Sequence, residues 1–204
     1  MTEKKKIVYS MCMMMISVSF FGFILENIWL FFIRGVIDNR NMTVPFLLGY
    51  GVGIAVLYVL VGTPRCFMPL IKGGKEGEKI PLRIRYLLYF LISAAAVTLA
   101  ELCVGFAVEY TMGFRYWDYS AIPFNITKYT SLPTSIGFGL IITLFMSLVF
   151  ERGIIFFSRM PYRLLRILSI AFCIITVFDF VISFHAMYIR NGLNILWQIR
   201  FPWA

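Results

Sequence analysis

The sequence predicts an all-α fold, a polytopic bundle of about five membrane-spanning helices that forms a single integral membrane domain over residues 1–204. Two observations predict this class. Hydrophobic residues make up 60% of the chain and charged residues 14%, whereas soluble domains average about 45–50% apolar and about 25% charged residues. The apolar residues also fall into long runs, and about 20 such residues are needed to span a hydrocarbon core of about 30 Å.

Five apolar runs account for the expected helices. The first and third are longer than a span requires, so these two helices are expected to tilt or to project beyond the core. In chain order the runs are Ile7–Ile33, Val44–Gly62, Ile84–Gly113, Pro133–Phe157 and Leu164–Ile189.

The two ends of the chain need separate treatment. Lys4, Lys5 and Lys6 precede the first run as in a signal peptide, but the run is too long and no small-x-small cleavage site follows it. We therefore expect it to remain as the first spanning helix. The tail 190–204 carries Trp197, Phe201 and Trp203 and is predicted to lie at the outer headgroups.

The distribution of Lys and Arg predicts the orientation. The N-terminus, the second loop and the fourth loop together carry 13 of these residues, and the intervening segments carry six. The positive-inside rule then places the N-terminus in the cytoplasm and the C-terminus outside. Within the second loop, the segment Lys72–Lys79 is predicted to be a flexible, solvated linker because it is rich in glycine and charge.

Composition excludes several classes of function. The net charge of +9 arises from short loops at the membrane edges, where basic residues meet anionic lipid, so no nucleic acid is expected as a partner. The cysteines Cys12, Cys66, Cys103 and Cys173 form no C-x-x-C pair, and neither a disulfide framework nor a metal site is expected. No cofactor is evident. The chain has no G-x-x-x-x-G-K-[ST] segment, so it is not itself an ATPase.

Acidic residues inside the predicted spans are the best indication of function, because a bare carboxylate at the bilayer centre costs about 2.5–3.5 kcal/mol on insertion scales. Four were identified, Glu26, Glu101, Glu109 and Asp179. At 1.5 Å per residue, Glu101 is predicted near the middle of its span, with Glu109 about 12 Å nearer the outer face. Glu26 and Asp179 are also predicted to lie in the outer half.

Each predicted helix has a stripe of small and polar residues at helical spacing, which is the pattern that packs membrane helices together. The acids lie on these stripes and are expected to face the bundle interior, whereas His185 lies off its stripe and is interpreted as a residue near the interface. The stripes are Ser19, Gly22 and Glu26; Gly49 and Gly53; Ala94, Thr98, Glu101, Gly105 and Glu109; Ser135, Gly139, Thr143 and Ser147; and Thr176, Asp179 and Ser183.

The acids and the polar residues of the outer loops together define a candidate substrate pocket. For Glu26, Glu109 and Asp179, pairing with Arg34, Arg40 or Tyr50 and a role in ligand or proton handling both remain open. The segment at Asp118 could be a rigid loop cap or a contact to a ligand headgroup. The candidate pocket comprises Glu26, Arg40, Tyr50, Glu101, Glu109, Trp117, Asp118, Tyr119, Asn125 and Asp179.

These residues resemble the motifs of the bacterial family known as "putative ABC-transporter type IV", small membrane proteins with several helices. Three blocks carry the resemblance and cover most of the chain. They are Glu109 with Trp117-Asp118-Tyr119-Ser120 and Phe124-Asn125; Glu26 with Asn39-Arg40, Pro45 and Tyr50-Gly51-Val52-Gly53; and Asp179 with Ser183.

The sequence departs from the family pattern at four positions. Asn41, Val44 and Lys128 stand where the family has Gly, and Leu48 stands where it has Pro. The resemblance implies a multi-pass protein of the bacterial cell membrane that acts as a transport permease, with a separate ATPase subunit as its partner.

Three functional hypotheses follow. The first is a permease-like transport protein with an acidic pocket in the outer half of the bundle. The second is a membrane-embedded enzyme or binder acting on a lipid or isoprenoid headgroup, with Glu109, Asp118 or Glu26 as acid, base or ion ligand and Arg40 holding phosphate. The third is a structural or regulatory subunit, with Gly49 and Gly53 as a possible surface for homo-oligomers.

Overall fold

Helices dominate the computed structural model, which describes residues 2–66 and 80–202. The linker Lys72–Lys79 and Trp203 lie outside these residues. The helices are α1 Thr2–Arg34, α2 Leu48–Val61, α3 Leu82–Met112, α4 Leu132–Phe145, a π-helical turn Met146–Phe150, α5 Glu151–Ser158 and α6 Tyr162–Arg190. The strands are β1 Val36–Asp38, β2 Asn125–Thr127, β3 Thr130–Ser131 and β4 Gln198–Arg200.

Four helices in the described part of the chain are long and apolar enough to cross a membrane. They are α1, α3, the continuous helix Leu132–Ser158 and α6. Their surfaces expose large apolar side chains such as Phe32, Phe178 and Ile189, which are 77%, 66% and 68% exposed. Such a surface suits contact with lipid and would be unusual in a soluble protein. The predicted all-α membrane bundle is therefore confirmed.

The second predicted helix is shorter than expected. It begins at Leu48 rather than Val44 and has 14 residues, a length of about 21 Å. Backbone N–H groups before it have other acceptors: Val44 donates to Asp179 and Leu47 donates to the Ser19 carbonyl. These bonds hold the segment in a loop, where Pro45 could not donate in any case.

Residues 1–55 and 153–204 form one compact unit. In it α1 and α6 run parallel. Near the start of both helices, Tyr9 packs edge-on against Tyr162, and the Tyr9 carbonyl accepts a hydrogen bond from the Ser169 hydroxyl. The thiols of Cys12 and Cys173 are in contact further along. Beyond the helix ends, β1 and β4 pair antiparallel, with Ile37 opposite Ile199. The predicted interfacial tail thus contains a strand, which the sequence analysis did not anticipate.

Parallel α1 and α6 constrain the topology. If both cross the membrane, the chain between them must cross an odd number of times. Counting α2, α3 and the helix Leu132–Ser158 as crossings satisfies this requirement. The orientation of the whole bundle in the membrane stays a prediction.

Residues 56–152 form the other unit, in which α3 packs antiparallel to α4. The Thr98 and Ser135 hydroxyls lie 2.7 Å apart, and Gly139 lies against Ala94. Ser131 caps α4 by accepting from the Thr134 N–H, which satisfies one of the free donors at a helix start. Between α4 and α5, the π-helical turn has i→i+5 hydrogen bonds, so it contains about one residue more per turn than an α-helix.

Burial confirms the predicted inward stripes of α1, α4 and α6, and contacts with α4 and Tyr129 confirm the half-buried stripe of α3. Ser19, Thr143 and Ser183 are examples, being 1%, 6% and 0% exposed. The stripe of α2 was wrong. Gly49 and Gly53 are exposed, and it is Gly51 that is buried, with its backbone against Met15 and Ser19 of α1. The reason is that a G-x-x-x-G spacing does not by itself specify which face of the helix packs inward. Here the close approach of α1 leaves no room for a Cβ at position 51.

Candidate functional site

The predicted site residues are divided between the two units. In residues 1–55 and 153–204 lie Glu26, Arg40, Tyr50 and Asp179, and in residues 56–152 lie Glu101, Glu109, Trp117, Asp118, Tyr119 and Asn125.

The Glu26 cluster consists of Glu26, Asp38, Arg40 and Tyr50. Arg40 donates from Nη2 to Glu26 Oε2 at 2.9 Å, and the Tyr50 hydroxyl donates to Glu26 Oε1 at 2.5 Å. Arg40 Nη1 also lies 3.7 Å from Asp38 Oδ1. One cation and one hydroxyl therefore satisfy both oxygens of Glu26. The pairing that the sequence left open is formed, with Arg40 and Tyr50 as the partners.

Asp179 serves the loop that enters α2. Its two carboxylate oxygens accept backbone N–H bonds from Thr43 at 3.0 Å and Val44 at 3.2 Å. The side chain of Asp179 is buried and lies within 3.5 Å of the Ser183 hydroxyl. Asp179 thus ties the loop to α6.

Backbone geometry explains one departure from the family pattern. Arg40 and Asn41 have φ angles of 47° and 65°, in the left-handed region that favours glycine. Asn is among the residues that best tolerate this conformation. Asn41, which stands at a family Gly position, therefore preserves the turn.

Two asparagines join this turn to the tail. Asn39 Nδ2 donates to the Asn194 carbonyl at 2.9 Å, and the Leu196 N–H donates back to Asn39 Oδ1 at 3.0 Å. Asn194 Nδ2 donates to the Asn41 carbonyl at 3.3 Å. Asn194 was not among the predicted site residues, because it lies in the segment predicted to be an interfacial tail.

The Glu109 cluster consists of Glu109, Arg115, Asp118, Lys128 and Tyr129, in the other unit. Glu109, in the last turn of α3, lies 2.5 Å from Lys128 Nζ and 3.4 Å from Arg115 Nε, and accepts a hydrogen bond from the Tyr129 hydroxyl. Arg115 reaches Asp118 Oδ2 at 2.6 Å. Two carboxylates and two cations balance, and the four side chains are 30–49% exposed.

Asp118 adopts the turn that the sequence suggested. Its Oδ1 accepts the Ser120 N–H at 2.8 Å, an Asx turn. Hydrogen bonds from Ser120, and then the one from Arg115, lower the pKa of the Asp118 carboxyl from 3.8 to about 2. The hydrogen bond to Asp118, followed by the one to Glu109, raises the pKa of the Arg115 guanidinium. Both groups therefore remain charged at neutral pH.

Trp117, Tyr119 and Asn125 build the loop around this cluster. Trp117 Nε1 donates to the Tyr129 carbonyl at 2.7 Å, and the Tyr119 N–H donates to the Lys128 carbonyl at 2.8 Å. Asn125 begins β2 opposite Ser131 of β3, with its side chain exposed. Two of the three thus position the backbone that carries Lys128 and Tyr129.

Tyr129 anchors the cluster to α3 and is fully buried. Its ring covers Gly105 and meets Phe106 edge-on at 4.8 Å between centroids. Lys128 Nζ lies 5.1 Å from the centre of the same ring. Lys128 was noted in the sequence only as a departure from the family pattern, and Tyr129 was not among the predicted site residues. The sequence signal that could have identified these two residues is a lysine followed directly by a tyrosine, shortly after the F-N motif.

Glu101 is separate from these contacts. It is half-buried in α3, about 12 Å from Glu109 along the helix axis. A further acid, Glu151, was not selected although it lies in the fourth predicted span. It begins α5 and accepts a hydrogen bond from the buried Thr63 hydroxyl at 2.7 Å. Among residues 2–66 and 80–202, no three His, Cys, Asp or Glu side chains come together as a metal site.

Comparisons with curated proteins and with solved structures found no match. The sequence does match a protein family, described as "Putative ABC-transporter type IV", over residues 13–184. This span contains all three motif blocks and both clusters. The chain therefore belongs to that family, and it is a multi-pass membrane protein.

Proposed function

We propose that the protein is a membrane subunit of an ABC-type transporter and that the Glu109 cluster contacts the substrate on the outer side of a bacterial cell membrane. The observation that carries the proposal is the partial exposure of a fully paired charge cluster. Lys128 and Arg115 are 31% and 49% exposed while both contact Glu109. An anionic group on a substrate can reach these cations without first entering a closed cavity.

Ion pairs at this exposure exchange partners readily, because water screens the attraction between their charges. A substrate carboxylate or phosphate could replace Glu109 at Lys128 and Arg115, since guanidinium and ammonium groups both bind such anions. Tyr129 would hold Glu109 in place during the exchange. The expected substrate is therefore a molecule with at least one anionic group.

The Glu26 cluster fits a structural role better. Arg40 and Tyr50 satisfy Glu26, and the backbone of residues 43–44 satisfies Asp179. These bonds connect α1, the loop before α2 and α6. Displacing them would break the packing of the unit, so we assign Glu26 and Asp179 to the scaffold.

Transport would need a separate energy source. The sequence has no phosphate-binding loop of the ATPase type. We expect an ATPase subunit to bind the cytoplasmic side, where the second and fourth loops carry most of the positive charge.

Purification in mild detergent followed by native mass spectrometry tests the proposal. An ATPase subunit at fixed stoichiometry would support the transporter. A small anionic molecule that is retained by the wild type and by Arg200→Gln but lost from Lys128→Gln would support the substrate contact. Arg200 is a matched control because it is an exposed cation on β4. Retention by every variant would remove the Glu109 cluster from the site.

A second candidate, a binder or enzyme for lipid or isoprenoid headgroups, is favoured by the aromatic residues beside the cluster. Tyr116 and Trp117 pack edge-on at 5.4 Å next to the end of α3, and such residues favour headgroup depth. Glu109→Gln and Asp118→Asn distinguish the possibilities. If both variants fold and turn over lipid normally, these carboxylates are not catalytic.

Homo-oligomerisation through Gly49 and Gly53 also remains a proposal. A Cβ at either position would meet nothing within 4 Å, so this face of α2 has room for a partner helix. The double variant Gly49→Leu/Gly53→Leu should abolish any oligomer seen on native gels, whereas Gly137→Leu should not.

A further inference from the structure

A groove on α6 combines two arginines with a strip of isoleucines. Arg163 and Arg166 lie at its polar end, and Ile167, Ile170 and Ile174 continue along it. Its volume is about 540 Å³. The groove lies on a different face of α6 from the packing stripe, because Leu165 and Ser169 are buried while the groove residues are exposed.

The charge of the groove has one sign. Among the described residues, its lining contains two guanidinium groups and no carboxylate. Neither Arg163 nor Arg166 makes a side-chain hydrogen bond or an ion pair with another described residue. These arginines therefore differ from Arg40 and Arg115, which are held by acids of the same unit.

The length of the groove along α6 matches the thickness of one leaflet of a bilayer. From Arg163 to Ile174 the helix rises about 16 Å, which compares with about 15 Å for half of the hydrocarbon core. Ile167 and Ile174 are 64% and 62% exposed. The charged end thus lies at headgroup depth when the isoleucines lie at acyl-chain depth.

We propose that this groove is a binding site for one anionic phospholipid of the bilayer. The phosphate binds Arg163 and Arg166, because a guanidinium binds phosphate oxygens in bidentate fashion. An acyl chain lies along Ile167, Ile170 and Ile174. Basic pockets beside transmembrane helices are a known way to bind anionic headgroups. The site is independent of the Glu109 cluster and of the proposed transport function.

The test compares two double variants of equal charge change. The full chain is reconstituted with phosphatidylglycerol or phosphatidylcholine, and bound lipid is counted by native mass spectrometry. Arg163→Gln/Arg166→Gln removes the groove cations. Arg152→Gln/Arg159→Gln is the control, because both are exposed basic residues outside the groove, Arg152 in α5 and Arg159 directly after it.

We expect the wild type and the control to retain one phosphatidylglycerol per chain and to prefer it over phosphatidylcholine. The groove variant should bind it about 10- to 30-fold more weakly, as expected for the loss of two basic residues near the surface. An equal loss in both double variants would indicate general attraction to anionic lipid and would overturn the site. A protein that co-purifies with the wild type but not with the groove variant would also overturn it, because a protein partner would then occupy the groove.

The apolar half of the groove has its own readout. Ile170→Ser/Ile174→Ser should weaken long-chain phosphatidylglycerol and leave a short-chain form unaffected, since only the long chain reaches these residues. Equal binding of both chain lengths by the wild type would contradict the acyl-chain part of the proposal.

Discussion

Glu26 and Glu109 are neutralised by partners at different distances along the chain. Glu26 finds Arg40 and Tyr50 in the segment that follows α1, within 24 residues. Glu109 finds Arg115 six residues later and Lys128 beyond the next loop. Pairing of Glu26 with Arg40 or Tyr50 was predictable, because these were among the few polar groups near that depth. Lys128 was not, because its position depends on the β2–β3 hairpin.

Acid should loosen the loop at Asp118. The pKa of its carboxyl is lowered from 3.8 to about 2, so its stabilising contribution is complete above the ordinary pKa. The contribution is lost as the pH falls through about 2. Hydrogen exchange of residues 114–131, corrected for intrinsic rates, should therefore increase between pH 4 and pH 2. Asp118→Asn should not show this increase in hydrogen exchange between pH 4 and pH 2. If the variant shows the same increase as the wild type, Asp118 is not its cause.

The hydroxyl of Tyr50 should stabilise the first unit. Tyr50→Phe removes the hydrogen bond to the half-buried Glu26 carboxylate, and we expect a loss of about 1 kcal/mol. Tyr58→Phe is the control on the same helix, since its hydroxyl makes no hydrogen bond within the described residues. Thermal unfolding in detergent measures both. A Tyr50→Phe variant as stable as Tyr58→Phe would mean that Arg40 alone suffices for Glu26.

At the scale of the elements, small residues determine how the helices pack. Stripes read from the sequence located the inner faces of α1, α3, α4 and α6, because residues at helical spacing share a face once the helix forms. The strands and the start of α2 were not predicted. They depend on hydrogen bonds from residues far away in the sequence, such as Asp179 and Asn194, and a local pattern does not contain that information.

Gly105 should be intolerant of a larger residue. A Cβ at this position would lie 2.5 Å from Cγ of Tyr129, so Gly105→Ala must displace the ring that anchors the Glu109 cluster. We expect destabilisation by about 1–3 kcal/mol. Gly137→Ala is the matched control, because a Cβ there meets nothing within 4 Å. Equal thermal stability of the two variants would contradict the packing of Tyr129 on α3.

Cross-linking should verify the parallel packing of α1 and α6. With Cys66 and Cys103 replaced by Ser, the contacting thiols of Cys12 and Cys173 should react together with a short bifunctional thiol reagent. A protease site inserted between residues 72 and 79 makes the product visible, since a cross-linked chain stays at full length after cleavage. Cys173→Ser should separate into two fragments. If the treated protein that retains both Cys12 and Cys173 also separates into two fragments after cleavage, the result would argue against this helix register.

At the scale of the whole molecule, composition was sufficient to predict that the chain is a membrane protein. A chain that is 60% hydrophobic has too few polar residues to cover a soluble surface. Helix number followed from the apolar runs, with α2 as the borderline case. The grouping of the candidate site residues into two clusters did not follow, because a linear sequence does not specify which helices pack on each other.

Reporter fusions test the orientation. With the N-terminus in the cytoplasm and five crossings, alkaline phosphatase fused after Ala204 should be active, and a cytoplasm-dependent fluorescent protein at the same place should be dark. The reverse result would contradict the combination of a cytoplasmic N-terminus and five crossings. Fusions after Gly62, expected on the cytoplasmic side, should give the opposite pattern to the C-terminal fusions.

The pairing of α1 with α6 imposes an order on biogenesis. Asn39 and its partner Asn194 are 155 residues apart, so at about 5–20 residues per second the ribosome needs about 8–30 s to supply the second after the first. Glu26 can pair with Arg40 and Tyr50 early in synthesis. Asn39 and the edge of β1 obtain their partners, Asn194 and β4, only when the end of the chain has been translated. The insertion machinery must therefore keep α1 available in the membrane until the last helix of the chain arrives.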